Sequence, residues 1–334
     1  MPRFIAMSTI SRFVSAVICA ATFATPVQAG MTQDLADCTA ADRMTSVDAC
    51  TRVMNSGRLP KNQLYIGHFN RGSAHFHSGS YDKALSDFDK SIDYNPGYAD
   101  TYYKRALVQH ERGNRERSLA DLDRYLEKKG DVAEAHINRA RLFRRRSELN
   151  QAFSELQKAS ALDPGEIKAQ ILRALVLSDL GEQGPARIEA DKAVTAGPDN
   201  ADAYYARATV AFRDANYAAA LTDIEKALAL KATFPAVLML RGRIEEQQGE
   251  KDKAAASFRK VLEGAPKSLD ARAAQDDARA RLATLEPLAA VAPVSNPAPQ
   301  LQPQSDAAAS VARVSECRRF IPSAQTTVAV ECPK

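Results

Sequence analysis

RGSAHFHSGSYDKALSDFDKSIDYNP, residues 71–96, contains two amphipathic segments parted by Gly79 and closed by Pro96. Its first residue is a cation at the head of a segment otherwise suited to a core. Arg71 is followed at 34-residue steps by Arg105, Arg139, Arg173, Arg207 and Arg241. Directly after these stand small residues, Gly72, Ala106, Ala140, Ala174, Ala208 and Gly242. A second small series runs Ala84, Ser118, Ala152, Ala186, Ala220, Ala254, and four residues after each comes Phe88, Leu122, Leu156, Ala190, Ile224 or Phe258. Between the small series fall Gly79, Gly113, Ser147, Gly181, Ala215 and Gly249. Pro96, Gly130, Pro164, Pro198, Ala232 and Pro266 stand near the unit ends.

This register runs without a gap from Tyr65 to Ser268, six units of 34 residues. Apolar residues at three- and four-residue steps predict two amphipathic helices per unit. The central Gly or small residue permits the tight turn between them, and the terminal Pro stops the second helix. One such hairpin cannot bury its own apolar face, so neighbours must stack to complete a core.

These residues resemble the tetratricopeptide repeat (TPR) family, whose period is 34, over about 204 of 334 residues. The family's early Trp is replaced by His68, Tyr102, His136, Gln170, Tyr204 and Leu238, and its usual Leu before the first small residue is Arg throughout. The resemblance implies an all-α, right-handed solenoid of six TPR helical hairpins with helical N- and C-terminal caps. The repeats are 65–98, 99–132, 133–166, 167–200, 201–234 and 235–268. Residues 30–64 read as a degenerate helical hairpin, since VDACTRVM matches YDKALSDF with Ala49 at the place of Ala84. Residues 269–286, charged with a thin apolar stripe, read as a capping helix with one face to the stack and one to water. A Pro/Ala/Gln-rich linker (287–316) and a small cysteine-flanked segment (317–334) with a β-prone TTVAV follow.

Residues 1–29 carry a positive start, a short apolar run and a TPVQA end, the pattern of a secretory signal peptide. Its removal takes away Arg3 and Arg12, leaving 43 basic against 41 acidic residues, a net +2. A near-neutral exported chain, periplasmic or secreted, is not expected to bind nucleic acid. No later segment is apolar enough to span a membrane. Four cysteines remain, Cys38, Cys50, Cys317 and Cys332. They allow three connectivities, and the spacing favours Cys38–Cys50 and Cys317–Cys332 as disulfides.

Sixteen residues after each of the first five arginines lies an acid: Asp87, Asp121, Glu155, Glu189 or Asp223, with Ser257 at the sixth place. Matched acids predict a structural ladder of bidentate pairs, either within a unit or from an acid to the next unit's Arg. The alternative is a row of arginines that grips an anionic ligand.

In the TPR family the first helices line a concave face where peptides or partner helices dock. Carried over, the resemblance places Phe69, Tyr103, His110, Ile137, Tyr205 and Phe212 on that face. It adds a basic spot of Arg141, Arg144, Arg145 and Lys168, able to receive an acidic side chain or a C-terminal carboxylate; the alternative is a solvated charge run at a helix end. The family's Lys/Asn carboxylate clamp is absent, because its inward Lys place holds Phe69, Tyr103, Ile137, Ile171, Tyr205 or Met239. His75 and His77 are two apart and cannot share a helix face, so no metal site is expected, and no cofactor or catalytic set stands out. The expected function is a non-enzymatic exported scaffold that binds a partner protein or peptide in its groove. The alternatives are binding of an anionic cell-envelope polymer and structural assembly by self-association.

Overall fold

The computed structural model describes residues 26–39, 45–286, 317–321 and 326–330. The chain divides into two units, Met1–Pro287 and Leu288–Lys334. The second contains an antiparallel pair, β1 (Cys317–Ile321) and β2 (Thr326–Val330), with Cys317 opposite Val330 and Ile321 opposite Thr326. Residues 1–25, the linker 287–316 and Cys332, hence the expected second disulfide, lie outside the described residues.

The first unit is an all-α solenoid. It opens with α1 (Pro26–Thr39) and α2 (Thr45–Asn55), joined by a disulfide between Cys38 and Cys50, followed by a 3-10 turn at Lys61–Gln63. The helix α1 begins before residue 30, where the sequence placed the start of the first hairpin. The first helices of the repeated hairpins are α3 (Leu64–His77), α5 (Ala99–Glu111), α7 (Ala133–Arg145), α9 (Ile167–Asp179), α11 (Ala201–Arg213) and α13 (Pro235–Gln247). Their partners are α4 (Tyr81–Tyr94), α6 (Arg115–Lys129), α8 (Leu149–Leu162), α10 (Gln183–Ala196), α12 (Tyr217–Leu230) and α14 (Lys251–Val261). Each hairpin packs internally and against its successor, and α15 (Leu269–Leu285) packs on α13 and α14.

The turn series has one backbone requirement. Gly79, Gly113, Gly181 and Gly249 have φ between 73° and 85°, where glycine is at ease. Ser147 (φ 60°) and Ala215 (φ 55°) hold the same left-handed conformation with a side chain, which costs about 1–2 kcal/mol.

Inside the hairpins the small residue after the ladder Arg packs with the residue sixteen positions on, and in five of the six units the bulkier partner goes with the smaller one; the fourth pairs Ala174 with Ala190. Gly72 and Gly242 stand where the second helix carries Phe88 and Phe258. A methyl on Gly72 would meet Phe88 Cε1 at 2.9 Å, and one on Gly242 would meet Phe258 Cε1 at 2.4 Å. The units with Leu122, Leu156 or Ile224 carry Ala106, Ala140 or Ala208, all fully buried.

The arginines pair within their own unit. Arg71 grips Asp87 through Nε (2.8 Å) and Nη2 (2.7 Å), and Arg105 grips Asp121 at 2.9 and 2.6 Å. Arg207 holds Asp223 at 2.9 and 2.8 Å. Arg139–Glu155 (3.4 Å) and Arg173–Glu189 (3.5 Å) are looser. Three of them also reach the preceding unit, through acids two positions beyond the ladder set: Arg105 to Asp89, Arg139 to Asp123 and Arg207 to Asp191. In the sixth unit, where the sequence offers Ser257, Glu245 fills the gap. It accepts from Arg241 Nε at 2.9 Å and from Ser257 Oγ at 2.6 Å.

At five of the six places of the family's Trp, all but Leu238, the side chain makes a hydrogen bond. His68 Nδ1 lies 3.0 Å from Asp87 Oδ1, and His136 Nδ1 lies 2.7 Å from Glu155 Oε2. Burial by itself would raise the Asp87 pKa, but the bonds from Arg71 and His68 hold it below the usual carboxylate range. Tyr102 and Tyr204 instead donate to the carbonyls of Pro96 and Pro198, and their rings lie under the guanidinium groups of Arg105 and Arg207 at 5.7 Å.

Candidate functional site

A cavity of about 1080 Å³ is bounded by first helices α7, α9, α11 and α13 and by α15. First helices line it because their inward positions recur at fourfold and threefold steps. Its apolar wall includes Ile171, Leu175, Tyr205, Phe212, Phe234 and Met239. Tyr205 packs on Phe234 with centroids 5.4 Å apart, which sets a rigid aromatic corner.

Of the ten residues that the sequence places on the groove, Arg141, Arg144, Arg145, Lys168, Tyr205 and Phe212 line this cavity. Ile137 does not. It is 1% exposed and packed with Ala140, Leu156 and Leu172, so it belongs to the core although Arg141 and Arg144, four and seven residues on along the same helix, line the cavity. Phe69 packs edge-on against Tyr98 (5.2 Å) and near Phe88 (6.1 Å), in the first hairpins. Tyr103 packs at a tilt against Tyr125 and accepts a hydrogen bond from Asn138 Nδ2 at 3.0 Å. Its burial and the nearby Glu134 charge raise the hydroxyl pKa, so the phenol stays neutral. His110 is half-buried, its Nδ1 without a hydrogen-bond partner, and its pKa is pushed down to about 4 by burial and by Arg145, Arg141 and Arg115.

The cations are not equivalent. Arg144 Nε donates to Asp179 Oδ2 at 2.5 Å, and Arg213 reaches the same carboxylate. Lys168 stands 3.9 Å from Glu134. Arg145 is paired with Asp270 of α15. Arg141 has no ion pair among the described residues; its hydrogen bond goes from Nη1 to Asn138 Oδ1 at 3.1 Å, and burial pulls its pKa below the usual arginine value. Arg243 likewise lacks an ion pair there and lies over the Phe212 ring at 5.1 Å. Arg146 caps α7 and pairs with Glu148 at 2.6 Å.

Sequence reasoning missed the part played by α15. Its expected stack face exists, with Ala278 fully buried and Gln275 donating to the carbonyls of Val261 and Gly264. Its first turn does not simply meet water. Leu269 N–H donates to Glu111 Oε2 at 2.9 Å, and Arg272 Nη2 donates to the Glu111 carbonyl at 2.6 Å, so the helix reaches the far ends of α5 and α7. The start of α15 lies 34 residues after that of α13, so Ala273 and Asp277 fall at the inward places of Met239 and Arg243. Continuing the register by one more helix would have exposed this.

Successive helical hairpins with a side-chain-lined inner face define a solenoid repeat protein. Tetratricopeptide repeat family models match residues 103–167 and 205–268, and a TPR repeat model matches 72–113. The chain belongs to the tetratricopeptide repeat family. Among solved structures it is similar to a tetratricopeptide repeat protein from Parabacteroides merdae, with a TM-score of 0.64 and 19% identity over 75% of this chain and 98% of that one. PilW, a type IV pilus biogenesis factor, matches at TM-score 0.52 and 17% identity over 63% and 98% of the two chains. The Cut9–Hcn1 assembly of the APC/C matches at 0.55 and 12% over 70% and 48%. At such identities the likeness concerns the fold. No curated protein sequence matches. No described helix is long and apolar enough to cross a membrane.

Proposed function

We propose that this chain is an exported, non-enzymatic scaffold that captures a partner protein or peptide in the groove lined by α7, α9, α11, α13 and α15. The observation that carries this is the aromatic corner of Tyr205, Phe234 and Phe212 beside Arg141, a half-buried cation with no ion pair among the described residues. Rigid aromatics supply contact area at low entropy cost, and a planar guanidinium orients a carboxylate. Export rests on the N-terminal sequence pattern, and a disulfide at Cys38–Cys50 suits an oxidising compartment. A photo-crosslinking residue placed at Tyr205 or Phe212 in intact cells should give a discrete protein adduct. The same residue at Ile188, which is 58% exposed on α10, should not. Equal adducts from all three positions, or none from the groove, would refute the reading.

A further inference from the structure

Six cations line the cavity, Arg141, Arg144, Arg145, Lys168, Arg213 and Arg243, against three carboxylates, Asp202, Asp270 and Asp277. Two of those three carboxylates are carried by α15. Asp179, outside the lining, pairs with Arg144 and Arg213, and Glu134 stands by Lys168; without α15, Arg141, Arg145 and Arg243 would have only Asp202 on the wall to set against them, so the groove proper is cationic. We propose that the groove's ligand is an acidic peptide segment with an apolar anchor, and that the first turn of α15 is its built-in competitor. This rests on the groove reading above and goes further, because it names the partner's charge and an occupant already in place.

The geometry of the contact has the form of a ligand interaction. Asp270 pairs with Arg145, while the α15 backbone and Arg272 are tied to Glu111 by two hydrogen bonds. The contact is polar: it joins exposed Asp270 to the end of α7, and Leu269 and Arg272 to the end of α5, and it is separate from the apolar packing of α15 through Ala278, Leu282 and Leu285. Such a contact can open while the helix keeps its seat. Arg141 lies one turn back from Arg145 on α7, and the self-contact leaves it without a carboxylate. A peptide carboxylate on Arg141 and a second acid on Arg145 satisfy both and displace Asp270, while an apolar side chain reaches Tyr205 and Met239. Population arithmetic sets the scale: if the open form is about a tenth of the free protein, removing the competitor tightens binding about tenfold.

The test uses the full chain and a fluorescein-labelled nine-residue peptide, Asp-Glu-Leu-Glu-Asp-Leu-Gly-Asp-Glu. Its Lys-for-acid counterpart and a Gln/Asn-for-acid counterpart serve as controls, read by anisotropy. Asp270→Ala should tighten the acidic peptide about tenfold. Arg141→Gln should weaken it at least tenfold in both backgrounds, with circular dichroism unchanged. Peptide binding to the wild-type chain should speed hydrogen exchange at the Leu269 amide. Failure of Asp270→Ala to raise affinity, or binding with no change at that amide, overturns the competitor. Equal binding of the Gln/Asn peptide overturns the acidic ligand but leaves the groove reading standing. Binding of polyglutamate as tight as the nonapeptide, abolished in moderate salt and indifferent to Tyr205→Ala, overturns the peptide class in favour of an anionic polymer.

Discussion

Gly242→Ala tests the size match between glycine and phenylalanine that the first and sixth hairpins share. The added methyl would sit 2.4 Å from Phe258 Cε1, 2.7 Å from Cδ1 and 2.9 Å from Cζ. Carbon atoms rest at about 3.5–4.0 Å, so the ring must retreat by about 1 Å. It has nowhere to go, since Phe258 is fully buried among Leu238, Met239, Val261 and Ala278. Overpacking of this kind costs about 3 kcal/mol at the upper end of its range. Replacing Gly by Ala within a helix returns about 1 kcal/mol. The net expectation is a loss of about 2 kcal/mol. In a Phe258→Leu background the pair copies Ala106–Leu122, and the same substitution should stabilise by about 1 kcal/mol. The coupling between the two sites is therefore about 3 kcal/mol. Urea unfolding of the four variants, followed at 222 nm, measures it. A coupling below about 0.5 kcal/mol, within the additivity error of independent sites, would show that size matching between these helices is not what selects glycine here.

Arg105→Met should cost about 3 kcal/mol by leaving buried Asp121 unpaired, and Arg105→Met with Asp121→Leu should recover most of it in thermal or urea unfolding. Ser147→Gly and Ala215→Gly should each stabilise by about 0.5–1 kcal/mol, because relief of left-handed strain exceeds the entropy cost of glycine; a loss of stability in either would contradict this. His110 titrates near 4 in the folded chain and near 6.5 when unfolded, so between these values the unfolded state binds more protons. Its contribution to stability is therefore present above about pH 6.5 and fades as pH falls toward 4, by an amount on the order of 3 kcal/mol. His110→Gln should flatten urea midpoints across that window, and an unchanged slope would refute the assignment.

The helices and their turns were legible because each is dictated by residues close in sequence. Gly79 or Gly113 between two amphipathic runs is a local instruction, repeated until chance is excluded. The ladder was legible as a spacing, although the choice between Asp87 and a neighbour's acid depends on helix rotation, which spacing does not carry. Ile137 lies in the core while Ile171 also reaches the cavity wall, although both hold the same place in the repeat, a difference that depends on packing neighbours and not on spacing. Glu245 was hidden for another reason. Nothing in Ser257 announces that a carboxylate four residues after Arg241 takes over. The meeting of α15 with Glu111 joins residues 158 positions apart, and only accumulated curvature brings them together.

That meeting alters how the array shares its stability. In an open stack each repeat senses only its neighbours, and a disturbance fades within one or two units. A clasp between Leu269 and Glu111 links the second hairpin to the helix that closes the array. Loosening the seat of α15 near Val261 should be felt at the end of α5, and a partner's arrival at α7 should be felt at the far terminus.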